Sequence, residues 1–212
     1  VRIIGIDLLG FGDSPRPEWA VYSARTQARS VGATLLGMKL TQRPIIVGHS
    51  LGALVAVAVA RRYPFLPKGL VLCSPPFYKP FQGEKRIPSA DDMLRKIYTI
   101  AKRHPEQLEY FSPLAVKLGL ANKALNITSD NVSSYMAALE SSVINQTALE
   151  DVVQLKLPID IFYGRFDPVV IRRHITNLAK QQSNITALGL NAGHEVKGSY
   201  ARAVAAFLTL TK

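Results

Sequence analysis

Short, almost wholly apolar runs, several of them β-branched, recur along the chain at 1–8, 44–47, 70–73, 157–163 and 185–190. A run without polar alternation suits a strand buried on both faces, as in a parallel sheet. Between the runs, apolar positions fall at helical spacing and predict helices over 23–39, 51–63 and 168–182, with a last one from Ser199. In the third of these, Ile171, Ile175, Leu178 and Ala179 share one face, while His174 lies opposite and is expected at the surface. Strands alternating with helices predict an α/β fold with a mostly parallel sheet flanked by helices.

Residues 77–150 break this alternation and carry only helical patterns. Ser89 can cap one helix, with Asp92 three residues on, and Pro105 can open another. Residues 130–144 read as a third. The expected organisation is a core of 1–76 and 151–212, with 77–150 inserted as an all-helical cap. Placed at the carboxyl ends of the strands, such an insertion covers a site.

With 212 residues, 48% of them hydrophobic, the chain can bury one sizeable core. The longest apolar run, 51–60, is half the ~20 residues needed to cross a bilayer and ends at Arg61 and Arg62, so no membrane span is expected. The single cysteine, Cys73, excludes an internal disulfide and a cysteine-based metal site, and fits a reducing, cytoplasmic setting. The net charge of +11 is spread over pairs such as Arg61-Arg62, Lys85-Arg86 and Arg172-Arg173 without interleaved aromatics, which argues for a solvated basic surface rather than a nucleic-acid site. Glycosylation-type triplets at Asn126, Asn131, Asn145 and Asn184 read as coincidence, since no signal peptide is visible at residue 1. Oligomeric state is left open by the sequence.

Candidate chemistry sits where strands end. Gly48-His49-Ser50-Leu51-Gly52 follows an apolar strand and opens an apolar helix, the context of a nucleophile elbow. Gly48 and Gly52 would remove side chains where strand and helix meet. The helix then aims its positive end at Ser50, and the Leu51 backbone amide can stabilise an oxyanion. A serine hydroxyl needs a base, and the base an orienting acid. Of the four histidines, His194 follows the last strand, at the sheet edge that holds Ser50. His49, adjacent to Ser50, is expected to pack elsewhere, and His104 to lie at the surface. Asp167 stands just past the fourth strand in Gly164-Arg165-Phe166-Asp167-Pro168, where it can orient an imidazole or cap the helix that follows.

On these motifs the chain resembles the cap-bearing α/β-hydrolase superfamily. Residues 7–14, Asp-Leu-Leu-Gly-Phe-Gly-Asp-Ser, are similar to the loop after that family's fourth strand, and Ser50, Asp167 and His194 follow its order of nucleophile, acid and base. The resemblance implies a serine hydrolase acting on a small-molecule acyl substrate, a carboxylic ester or related compound, with no metal or cofactor. Carbon–carbon bond hydrolases and acyltransferases share these residues, and a non-catalytic ligand-binding or interaction module on the same fold is the contrasting reading. Family members carry further strands ahead of the one matched by residues 1–8, and the loop after the last of those holds a His-Gly motif that gives the second oxyanion donor. This sequence contains neither, so only the Leu51 donor is expected, and residues 1–8 are expected to lack a neighbour on the side of 45–47. Loss of one such donor costs about a hundredfold to a thousandfold in turnover.

Overall fold

The computed structural model describes residues 2–79, 103 and 132–210. Four of the apolar runs form β1 (Ile45–His49), β2 (Gly69–Cys73), β3 (Ile159–Gly164) and β4 (Ile185–Leu190). All pair in parallel, in the order β1-β2-β3-β4. Parallel neighbours need long crossovers. The described helices are α1 (Ala24–Gly37), α2 (Leu51–Arg62), α3 (Val132–Ala138), α4 (Ala148–Val153), α5 (Arg172–Gln181) and α6 (Ser199–Leu210). Ser23 caps α1, its side chain accepting from the Thr26 amide.

Strand alternation decides which helix each side chain meets. Leu70, Leu72, Ile159 and Ile161 pack on one face against Ala53, Leu54 and Val57 of α2 and Ile175 and Leu178 of α5. Val71, Cys73 and Phe162 pack on the other, against Tyr200 and Val204 of α6. Each fully buried aliphatic side chain of this kind contributes about 2 kcal/mol. In that second layer burial pushes the Cys73 thiol up to about 11, against a weaker opposing hydrogen bond from Tyr200. Helix α1 covers α2 through Ala28, Val31 and Leu35, which meet Val55 and Val59.

The expected first strand does not form. Residues 2–8 join no ladder, and Ile3 is 89% exposed. Apolar character alone does not make a strand; a backbone neighbour must accept and donate along it. Among the described residues β1 is a sheet edge, and Val47 on it is 48% exposed.

His174 also departs from expectation. It is buried, and its Nδ1 lies 2.7 Å from the Phe77 carbonyl. His174 stands one turn before Leu178, at the border of the buried face of α5, and the chain leaving β2 meets it there. Residues 77, 78, 143 and 148, at the two ends of the expected insertion, pack into the same cluster as α2. Gln146 ties those ends together, its Nε2 donating to the Pro76 and Val143 carbonyls. The helix expected over 130–144 is α3 continued by a π-helix, Leu139–Ile144, with the Asn145 amide reaching the Glu140 carbonyl. The elements expected around Ser89 and Pro105 lie outside the described residues, as does His104. Asn184, one of the glycosylation-type positions, donates its side-chain amide to the Leu155 and Leu157 carbonyls.

Candidate active site

Ser50 stands between β1 and α2 with φ +52° and ψ −118°, a backbone conformation that an L-residue holds only under constraint. The constraint is visible on both sides. The Ser50 amide donates to the Cys73 carbonyl on β2 at 2.9 Å, and its carbonyl accepts from the Ala53 amide at 2.9 Å. The turn is tight enough that a Cβ on Gly48 would meet the carbonyl oxygen of Gly52 and stand 2.6 Å from its carbonyl carbon. Gly52 itself has open space where a Cβ would go, so of the two glycines only Gly48 is demanded by close approach. The first amides of α2 have no acceptor within the helix, so the Leu51 N–H is available at the nucleophile turn.

His194 and Asp167 reach the same point from loops after β4 and β3. The two loops are knitted together by backbone bonds from the Arg165 amide to the Leu190 carbonyl and from the Phe166 amide to the Ala192 carbonyl. Gly164 allows this, since a Cβ there would meet the carbonyl oxygens of Ala192 and Gly193. His194 Nδ1 lies 2.8 Å from Asp167 Oδ2, and Nε2 lies 3.0 Å from Ser50 Oγ. Both Asp167 and His194 are 6% exposed. A carboxylate accepts only, so Nδ1 carries the proton and Nε2 is left free to accept the Ser50 hydroxyl. The structure therefore brings the three sequence-identified residues into one hydrogen-bonded line.

The second oxygen of Asp167 accepts from the Val169 amide at 2.8 Å. This is a local turn within the loop, not a cap on α5, which starts at Arg172. Sequence reasoning set orientation against local structure, yet the two oxygens are divided between them. Tyr78, which that reasoning missed, donates its hydroxyl to the Val169 carbonyl at 2.7 Å and so braces the turn that holds Asp167. His49 does not simply pack away from the site: its Nε2 lies 2.8 Å from the His194 carbonyl. A separate cavity of about 300 Å3, lined by Ser23, Arg25, Leu54, Ser142, Gln146 and Asp151 among others, contains none of Ser50, Asp167 and His194.

A family model described as the alpha/beta hydrolase fold matches residues 1–116. A protein named probable lysophospholipase BODYGUARD 3, from Arabidopsis thaliana, is 38% identical over 85 residues, which are 40% of this chain and 17% of that protein. The matched stretch is thus a small part of that relative. Among solved structures, a thermophilic esterase from Thermogutta terrifontis superposes with a TM-score of 0.69 at 21% identity, over 96% of this chain and 77% of that one. The E-2-(acetamidomethylene)succinate hydrolase gives 0.68 at 17% identity, over 96% and 78%. At such identities the structures speak for the fold alone.

Proposed function

We propose, since the chain belongs to the α/β-hydrolase family, that it is a serine hydrolase cleaving a carboxylic ester, with Ser50 as nucleophile, His194 as general base and acid, and Asp167 as the orienting carboxylate. The observation that carries this reading is the unbroken line from Asp167 Oδ2 through the His194 ring to Ser50 Oγ.

The steps follow from that line. As Ser50 Oγ attacks the ester carbonyl carbon, its proton passes to His194 Nε2. The carbonyl oxygen becomes an oxyanion, stabilised by the Leu51 amide and the positive end of α2. Collapse breaks the bond to the leaving alcohol, which takes the proton from Nε2 and departs, leaving an acyl group on Ser50. Water then attacks that acyl carbon, giving a proton to Nε2; collapse releases the acid and returns the proton to Ser50. Asp167 keeps the imidazole in the required tautomer and offsets its transient positive charge.

Residues 77–150 are read as a cap whose two ends are rooted in the core, through Phe77 and Tyr78 at one end and Val143 and Ala148 at the other. The relative's name adds a narrower reading, since a lysophospholipid carries one carboxylic ester. Its carbonyl would meet the same three residues. Among the described residues no helix is long and apolar enough to cross a membrane.

The test is a panel of p-nitrophenyl esters of increasing acyl length beside lysophosphatidylcholine, run on the full chain and on Ser50→Ala. Ester hydrolysis that disappears in Ser50→Ala is expected. Hydrolysis at equal rate in both proteins, or none by a folded chain, would contradict the reading; release of fatty acid from lysophosphatidylcholine decides the narrower one.

A further inference from the structure

We infer that His49 is a positioning residue for this site: through its Nε2–H it holds the main-chain carbonyl of His194, and so ties the nucleophile turn directly to the loop that carries the base. The inference rests on the proposed roles of Ser50 and His194.

The geometry starts from the strand. Along β1, Ile45 packs in the α6 layer with Val71, Cys73 and Phe162, and Gly48 turns towards Gly52 of α2. Alternation puts His49 on the same side as Ile45. The residues after β4 cover that side, with Ala192, Val196 and Tyr200 all in the α6 layer. His194 belongs to this segment. The side chain before the nucleophile is therefore directed at the base's own backbone, and its Nε2 comes within 2.8 Å of the His194 carbonyl. The two rings lie 4.9 Å apart, tilted by 47°.

The carbonyl has no proton to give, so the bond requires the hydrogen to sit on Nε2 of His49. It fixes the loop at the residue whose other end must reach Ser50 Oγ at 3.0 Å. A base in that position works only within a narrow range of distance, and displacements of about 1 Å can cost a hundredfold in rate. The Asp167 bond restrains the ring of His194, but not its main chain. His49 supplies that second restraint.

The charges around it suit the task. Desolvation, then the neighbouring His194, hold the His49 imidazole below the ordinary histidine range, while the bond to the His194 backbone, then Asp167 and Glu195, pull the other way. Held low in this way, His49 stays neutral and keeps its role as a donor. His49 itself stands at the exposed edge of the sheet.

The experiment compares the full chain with His49→Leu, which keeps the bulk without a donor, and His49→Gln, which restores an N–H at similar reach. On a short-chain ester, His49→Leu should lower kcat about tenfold with KM within about twofold, and His49→Gln should recover to within about threefold of the unmodified chain. Full turnover in His49→Leu, or equal loss in both variants, would overturn the inference. Side-chain 15N spectra of the unmodified chain provide a readout that needs neither substrate nor a folded variant. His49 should be the neutral Nε2–H tautomer, and an Nδ1–H tautomer would refute the role. If the unmodified chain hydrolyses no ester, the proposed function fails while the spectra still decide whether His49 holds His194.

Discussion

Asp167→Asn is expected to lower ester turnover by about 10^4-fold while leaving the fold in place. The substitution removes a charge and almost no volume. Asparagine can still accept from the Val169 amide through Oδ1, so the turn seen at 2.8 Å survives. What changes is the atom facing His194 Nδ1, an acceptor in the native protein at 2.8 Å. An amide NH2 in that place donates, which drives the imidazole proton to Nε2. A protonated Nε2 points a hydrogen at Ser50 Oγ and cannot take one from it. Steady-state kcat together with thermal unfolding checks this. A loss smaller than about tenfold, with Tm unchanged, would mean that Asp167 serves the loop and not the base.

Gly48→Ala is expected to destabilise the chain by about 3 kcal/mol, at the upper end of the usual cost of overpacking. The added methyl would meet the Gly52 carbonyl oxygen and stand 2.7 Å from the Ala53 nitrogen. These are backbone atoms of a helix and cannot rotate away. Relief would require β1 and α2 to separate at the turn that holds Ser50. For a domain of this size the cost corresponds to a fall in Tm on the order of 10 °C. Gly52→Ala is the internal control, because the equivalent space there is open. Its stability should stay within about 1 kcal/mol of the native chain. Similar Tm values for the two variants would show that the elbow does not depend on close approach at Gly48.

These two positions also show what the sequence could and could not reveal. The four observed strands were legible because each is a compact apolar run between breakers, although only β2 is buried along its whole length, and β1 and β4 expose Val47 and Leu188. The gathering of Ser50, Asp167 and His194 was legible for a related reason. Parallel strands present their carboxyl ends at one edge, so residues just after β1, β3 and β4 all stand at that edge, within reach of one another through their loops. Residues 1–8 share the same apolar signature, yet residues 2–8 join no ladder, because pairing needs a partner and a run of side chains cannot report one.

Other differences come from packing between distant segments. His174 borders the buried face of α5, one turn before Leu178, and the Phe77 carbonyl meets it there. A period of 3.6 residues puts position 174 beside that face, but does not report the carbonyl that meets it. Gly48 and Gly52 belong to one motif in sequence, although only Gly48 is crowded. The π-helix of Leu139–Ile144 keeps an ordinary helical pattern in sequence, since the change lies in the backbone bond and not in the side chains. Tyr78 lies far along the chain from Val169, and no local motif links them. Alternation from Ile45 along β1 puts His49 on the side of the residues after β4.

The central claim is that Ser50 is the nucleophile of a line completed by His194 and Asp167, and a fluorophosphonate reporter probes it most directly. The full chain is treated with the reporter, digested, and the modified peptide identified by mass spectrometry, alongside Ser50→Ala and His194→Ala. The account predicts a single adduct on Ser50, none in Ser50→Ala, and strongly slowed labelling in His194→Ala. An adduct that persists in Ser50→Ala, or that forms as fast without His194 as with it, would contradict the account.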